Sequence, residues 1–169
     1  MSPKARRVAD HSPVWLTAEQ QPAWLAYIRV QLRLTYEINR QPQTDSELSL
    51  ADWDVLTALG NAPGARMRLS ALAAQIGWER SRLSHHLQRM SARGLVLREP
   101  SPTDGRATDA VLTEAGRAAL TEAAPGHVAL VRRLFFDGLP EPLLEPLTEA
   151  LEKIYDNIIE QGTLPRPAE

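Results

Sequence analysis

The chain has 169 residues, 43% of them hydrophobic, and a net charge of −2. This length suits one domain with appended helices, and the lack of cysteine excludes disulfides, thiolate zinc sites and cysteine-based redox sensing. No apolar run is long enough to cross a bilayer, and the basic, polar start of the chain lacks the apolar core of a secretory signal. We therefore expect a cytoplasmic location.

The first predicted helix begins at Thr17. Gln20, three residues later, completes a capping box, and the apolar residues that follow keep helical spacing to about Arg40. On either side of this helix, we expect residues 1–16 to be a disordered basic segment and residues 41–47 to form a polar loop.

The middle of the chain predicts a helix-turn-helix followed by a hairpin. Small polar residues stand where the helices begin, and glycines stand where they end. Prolines and an Asp-Gly pair mark the hairpin loop. In order, the predicted elements are a helix capped by Ser49 and ended by Gly60 and Pro63, a strand at 67–69, a helix capped by Ser70 and closed by Gly77, a helix over 80–93 closed by Gly94, a strand at 95–98, a loop at 99–108 and a strand at 110–112.

Two further helices are predicted after the hairpin. Thr113 caps the first, which continues to Phe136 with a kink or break at Pro125-Gly126. The second covers residues 141–161, and we expect residues 162–169 to be a disordered tail.

The helix over 80–93 has an apolar face and a polar face. The apolar face should pack on the preceding helices, which makes His86 a packed histidine. The polar face carries side chains suited to base edges and phosphates, and a helix N-terminus attracts anions. This face is either a DNA-reading surface or the ordinary exposed side of an amphipathic helix. The apolar face consists of Leu83, His86, Leu87 and Met90, with Leu56, Leu72 and Ile76 as expected neighbours. The polar face consists of Arg80, Ser81, Arg82, Ser84, His85, Gln88 and Arg89.

Charge is distributed unevenly along the chain. From Arg66 to Arg106 there are eight arginines and three acids, whereas from Asp137 to Glu160 there are seven acids and one lysine. A basic DNA-reading region and an acidic C-terminal helix together give the chain a net charge near zero. The basic region is either a nucleic-acid contact or a solvated arginine-rich surface.

The predicted hairpin carries one arginine near its tip, Arg106. Because a guanidinium is planar, permanently charged and weakly hydrated, it enters a narrow minor groove at modest desolvation cost. Asp104 at the turn has two possible roles. It either pairs with Arg106 or an arginine of the reader helix, or it simply forms the turn.

The last helix has an apolar seam close to that of a coiled coil. The seam needs a partner, which is either the first and fifth helices of the same chain or, as we favour, a second subunit. A two-fold dimer would place two reader helices about one turn of DNA, roughly 34–36 Å, apart and would require a pseudo-palindromic site. The seam residues are Leu144, Leu147, Leu151, Ile154 and Ile158.

Over about residues 18–161 the chain resembles the MarR family, the multiple-antibiotic-resistance regulators. The matching residues are Arg68-Leu69-Ser70-Ala71-Leu72-Ala73, Ser81-Arg82-Leu83-Ser84-His85, Leu87-Gln88-Arg89-Met90, Arg93-Gly94-Leu95-Val96, Asp104-Gly105-Arg106 and Val111-Leu112-Thr113-Glu114-Ala115-Gly116. The Asp-x-Arg hairpin followed by Leu-Thr-x-x-Gly, at this distance from a helix-turn-helix, is the specific part of the match.

The resemblance implies a mainly α fold with a small β-hairpin wing, a winged helix-turn-helix with long N- and C-terminal dimerisation helices. It further implies a homodimer, usually a repressor, that a small molecule often releases from DNA. By position, Ser81, Arg82, Ser84 and His85 would read the major groove and Arg106 the minor groove. Many members carry a second basic residue beside the wing arginine, where this chain has Gly105, so a phosphate contact is lost or the tip is more flexible. The implied division is residues 17–47 for the N-terminal dimerisation helix, 48–113 for the DNA-binding domain and 114–161 for the C-terminal dimerisation helices.

A small-molecule pocket would lie between the dimer helices and the reader. Aromatic and titratable groups suit such clefts, which makes Trp24, Tyr27, Trp53 and His127 candidates, although aromatic residues at helical spacing are also typical of a core. The histidines show no metal-ligand spacing. We find no nucleophile–base pair or phosphate loop, and therefore predict neither an enzyme nor a cofactor. The alternative function is a winged-helix module that binds an acidic protein, or DNA without sequence preference.

Overall fold

The computed structural model describes residues 15–40 and 48–167. The polar loop predicted at 41–47, most of the predicted N-terminal segment and the last two residues of the predicted tail lie outside the described residues. The chain divides into two compact units, residues 1–35 and 36–169.

Helix α1 (Gln20–Arg40) begins with the predicted capping box. The Thr17 backbone N–H donates to Gln20 Oε1 at 3.0 Å, and the Gln20 N–H donates to Thr17 Oγ1 at 3.2 Å. These two bonds satisfy N–H groups that the first helical turn leaves unpaired. None of the residues of α1 is buried.

The helix-turn-helix is built from α2 (Leu50–Asn61), the short strand β1 (Arg66–Arg68), α3 (Leu69–Gln75) and α4 (Arg80–Ala92). Ser49 is the N-cap of α2, as predicted, and it forms a reciprocal capping box with Asp52. The predicted cap at Ser70 is wrong. The N-cap lies two residues earlier, at Arg68, which leaves β1 in an extended conformation and caps α3 without a side-chain bond. The positive φ of Gly77 (69°) and Gly94 (74°) closes α3 and α4 in the left-handed region that glycine favours.

Strands β2 (Val96–Ser101) and β3 (Asp104–Leu112) form the wing and, with β1, an antiparallel sheet of order β1-β3-β2. The strands are longer than predicted, so the expected loop at 99–108 is mostly paired strand. Pro100 lies opposite Thr108, beside an irregularity in the register. Strand β2 tolerates this proline because it is at the edge of the sheet and need not donate to a further strand.

Helix α5 (Glu114–Val131) follows the sheet directly, with Thr113 as the predicted N-cap, whose side chain accepts the Gly116 N–H at 2.9 Å. A Cβ at Gly116 would lie 2.1 Å from the carbonyl oxygen of Leu95, so only glycine permits this close approach of helix and strand. The helix runs through Pro125 without the predicted break and ends five residues before Phe136 in a π-helical turn.

Helix α6 (Leu144–Gln161) begins later than predicted, because residues 141–143 form a separate 3₁₀ turn. No helix in the described part of the chain is long and apolar enough to span a membrane.

The core lies among α2, α3, α4 and the inner face of the sheet. It holds the reader helix α4 by its apolar face, as the spacing predicts. The larger fully buried side chains are Leu56, Leu59, Leu72, Leu83, Leu87, Met90, Val55 and Val96. Because these interlocked side chains fill one contiguous core, α4 has a fixed orientation relative to the wing.

Candidate nucleic-acid interface

The polar face of α4 is open to solvent. Six of the predicted contact residues are exposed and Ser84 is half-buried; the exposed ones are Arg80, Ser81, Arg82, His85, Gln88 and Arg89. The N-cap, Glu79, makes no side-chain bond to the first turn, so the helix N-terminus keeps backbone N–H groups that can donate hydrogen bonds to an anion.

Arg82 has an intramolecular partner that the sequence analysis missed. Its guanidinium carbon lies 4.0 Å from the ring centroid of Trp78, a cation–π arrangement. Trp78 is buried at the turn between α3 and α4. The available signal was an arginine four residues after a tryptophan at a helix start. The stacking holds the Arg82 guanidinium beside Trp78, next to the N-terminus of α4.

The wing tip presents Arg106 to solvent, together with Asp104 and Gly105. Asp104 Oδ1 accepts the backbone N–H of Arg106 at 3.1 Å, and Asp104 Oδ2 lies 3.8 Å from Nη1 of Arg68. The predicted pairing of Asp104 with the Arg106 side chain or with a helix arginine is therefore wrong: the turn role is correct, and the cation comes from β1. The Arg106 side chain is exposed.

The base of the wing is braced from β1. Arg66 forms an ion pair with Glu99 of β2 and lies 3.4 Å from Asp109 of β3. The contact with Glu99 raises the pKa of Arg66. Arg68 donates to Thr103 Oγ1 at 3.1 Å. Because β1 lies beside β3 only after folding, sequence spacing did not reveal these contacts.

A buried polar cluster lies beneath α4. Asp52 of α2 is 2% exposed. Its Oδ2 accepts from Arg93 Nη1 at 2.8 Å, and its Oδ1 lies 3.0 Å from His86 Nε2. Burial acts to raise the pKa of Asp52, but the contacts with His86, Arg93 and Ser49 outweigh it and lower the pKa. The carboxylate is therefore charged and ties α2 to α4.

Asp54, also on α2, has a pKa shift in the opposite direction from that of Asp52. Desolvation by burial raises the pKa of Asp54, and the nearby Arg82 guanidinium offsets this only in part.

The four predicted pocket residues form two ring pairs. Trp53 of α2 stacks on His127 of α5 with centroids 4.1 Å apart and an interplanar angle of 23°, and burial lowers the pKa of His127. Trp24 and Tyr27 contact each other in the first unit, at 5.4 Å. Within the described residues, no group of three or more histidine and acidic side chains is arranged to hold a metal ion.

A core-anchored helix with an exposed arginine-rich face, followed by a hairpin with a protruding arginine, defines a winged helix-turn-helix DNA-binding protein. The chain belongs to the MarR family of transcriptional regulators. The MarR family model matches residues 46–107, and solved structures of the family match most of the chain. The predicted family and fold class are thus confirmed, and the chain is a DNA-binding transcriptional regulator.

Two of the similar structures come from Streptomyces coelicolor. The MarR family regulator AbsC is 38% identical, with 88% of this chain and 99% of AbsC covered and a TM-score of 0.81. Sco3205, solved in complex with DNA, is 34% identical, with 94% of this chain and 98% of that chain covered and a TM-score of 0.83. CouR from Rhodococcus jostii RHA1, bound to p-coumaroyl-CoA, shares the fold at 24% identity, with 82% of this chain and 95% of that chain covered and a TM-score of 0.68. A comparison with curated protein sequences gives no significant match.

Proposed function

We propose that this chain is a sequence-specific repressor that binds a pseudo-palindromic DNA site as a homodimer, with α4 in the major groove and Arg106 of the wing in the minor groove. The observation that carries the proposal is that two DNA-contacting elements, the polar face of α4 and the wing tip, are both exposed on one core. The polar face of α4 and the wing tip are open to solvent, whereas the opposite face of α4 is fully packed. The DNA complex of Sco3205 supports this function for a relative of similar length.

The residues of α4 divide into two groups by position. The N-terminal turns offer arginine, serine and histidine side chains that match base edges in the major groove. We assign base contacts to Ser81, Arg82, Ser84 and His85. We assign phosphate or flanking contacts to Arg80, Gln88 and Arg89, and the shape of the wing turn to Asp104.

Dimerisation is supported by the apolar seam of α6. Leu151 is 45% exposed, Ile154 56% and Ile158 57%, and no residue of α6 is buried. An exposed apolar stripe of this kind is typical of an interface. We therefore propose residues 17–47 and 114–161 as dimerisation segments, and residues 48–113 as the DNA-binding domain.

An effector site at Trp53 and His127 is the second part of the proposal. Trp53 stacks on His127, and the residue before it in α2, Asp52, makes the contact with Arg93 at the end of α4. A planar ligand that separates the rings would shift α2 and, through Asp52, α4. Quenching of tryptophan fluorescence by such ligands, lost in His127→Ala, is the expected result; binding unchanged by that variant would contradict the assignment.

Selection from a random duplex pool tests the main proposal. The purified full chain should enrich one motif with two inverted half-sites about one DNA turn apart. The selected duplex should bind at least about 10³-fold more tightly than a shuffled duplex at the same salt concentration. Enrichment of no motif, with equal affinity for both duplexes, would instead indicate a non-specific architectural module.

A further inference from the structure

A chain of close polar contacts connects the buried carboxylate of α2 to an exposed arginine of α4. Asp52 Oδ1 lies 3.0 Å from His86 Nε2, and His86 Nδ1 lies 3.0 Å from Arg89 Nη2. His86 is only 7% exposed, so it does not reach the helix surface. Arg89, one turn further along α4, is exposed on the polar face.

The chemistry of the partners fixes the state of the imidazole. A guanidinium only donates hydrogen bonds, so Nδ1 of His86 must be the acceptor. The proton of a neutral imidazole then lies on Nε2, which faces the Asp52 carboxylate. A second proton on Nδ1 would direct an N–H at the Arg89 cation and break the contact.

Two further contacts hold the imidazole of His86 in place. Arg93 binds the other oxygen of Asp52 at 2.8 Å, and the ring of Trp78 meets the imidazole edge-on at 5.4 Å. The imidazole is therefore held in position before DNA arrives.

We propose that His86 is a positioning residue that orients the guanidinium of Arg89 for contact with DNA, and that Asp52 selects the tautomer that allows it. This inference rests on the proposed function. One guanidinium nitrogen of Arg89 is used by His86, while its other donors remain available to a phosphate or a base edge. An arginine held in this way loses less side-chain freedom on binding than an unrestrained one. Loss of the restraint should lower DNA affinity between about twofold and about tenfold.

A double-mutant cycle tests the proposal. His86→Gln keeps a donor near the Nε2 position but removes the acceptor for Arg89, and it is combined with Arg89→Ala. The selected duplex is titrated with each full-length variant, with the active concentration set by stoichiometric titration. His86→Gln should weaken binding when Arg89 is present and have no effect in the Arg89→Ala background. Equal weakening in both backgrounds, or no weakening in either, would overturn the proposal.

Two comparisons sharpen the cycle. His86→Asn places an amide oxygen near the Nδ1 position and should keep binding within about twofold of the wild type. His85→Gln, at the neighbouring exposed histidine, is the matched control and should show no coupling to Arg89→Ala. If His86→Gln does not fold, the ¹⁵N signals of the wild-type imidazole provide the test: the Nε2–H tautomer is expected, and a protonated Nδ1 would overturn the proposal.

The failure of this inference is distinguishable from failure of the proposed function. Wild-type protein that binds no duplex with sequence preference contradicts the function. Wild-type protein that does so, with an affinity unchanged by Arg89→Ala, contradicts the positioning role of His86 alone.

Discussion

The Asp104 carboxylate holds the backbone amide of Arg106 at 3.1 Å. Its other oxygen lies 3.8 Å from the Arg68 guanidinium of β1. Strand β1 therefore also supports the turn that carries the wing arginine. The side chain of Arg106 takes no part in this brace and is exposed. The wing turn is thus held by Asp104 and Arg68, and it presents the Arg106 side chain to solvent.

Arg106→Ala should weaken binding to all duplexes and reduce the salt slope of the affinity by about one, because it removes one cation that displaces counterions. Fluorescence anisotropy over a series of salt concentrations measures both effects. Arg166→Ala, which removes the same charge from the C-terminal tail, is the control and should leave the slope unchanged. An unaltered affinity for Arg106→Ala would show that the wing does not contact DNA.

Arg82→Ala and His85→Ala should relax base preference at single positions of the site, each at a cost of about 1–3 kcal/mol for the preferred base. The measurement is the affinity for duplexes that carry each base in turn at the affected position. Arg82 lies on Trp78, so its loss should change preference nearest the N-terminus of α4. Uniform weakening across all duplexes would make these residues phosphate contacts instead.

The sequence predicted the elements of the reader well because each depends on local signals. The buried face of α4 follows from helical spacing, and the caps at Thr17, Ser49 and Thr113 follow from side chains that bond their own helix. The hairpin loop was predicted wrongly because strand pairing between distant residues determines its length. Turn-forming residues at 99–108 suggested a loop, but pairing of β2 with β3 extends the strands into it.

The site was predicted as a set of residue types and not as a network. Arg82 and Arg89 were identified as exposed contact residues, and Asp104 as either a turn former or the partner of Arg106 or a helix arginine. In the structure each has a different partner within the protein. Those partners come from the turn before α4, from its own buried face and from β1. Helical spacing could have indicated the Trp78–Arg82 and His86–Arg89 pairs, which are four and three residues apart. The contact of Asp104 with Arg68 depends on tertiary packing, and no local spacing rule identifies it.

Asp52→Asn should lower the free energy of unfolding at pH 7 by about 1–3 kcal/mol, because it leaves partners of a buried acceptor unsatisfied. The lowered pKa of Asp52 means that the unfolded state takes up a proton more readily than the folded state. The stabilisation is therefore complete above the unfolded pKa of about 4 and decreases as the pH falls through the lower, folded pKa.

Urea unfolding of wild type and Asp52→Asn at several pH values measures this difference. The gap between the two proteins should be widest near neutral pH and should narrow in acid. A gap that is constant from pH 7 down to pH 3 would show that the carboxylate charge does not link α2 to α4.

Leu151→Asp should convert the proposed dimer to monomers, because it places a charge in the middle of the apolar seam of α6. Sedimentation at micromolar concentration gives the mass directly. Glu152→Lys, a charge change at the next, exposed position of the same helix, should leave the dimer intact. A Leu151→Asp protein that still sediments as a dimer would rule out α6 as the seam.

Groove-specific footprinting on the selected duplex is the most direct test of the two-probe arrangement. Hydroxyl-radical cleavage should show two protected minor-groove patches, related by the symmetry of the site, and methylation by dimethyl sulfate should show protected guanine N7 atoms in the major groove, between each minor-groove patch and the centre of the DNA site. Arg106→Ala should lose the minor-groove patches and keep the major-groove protection. Minor-groove patches that persist in Arg106→Ala, or a footprint confined to one groove in the wild type, would contradict the account.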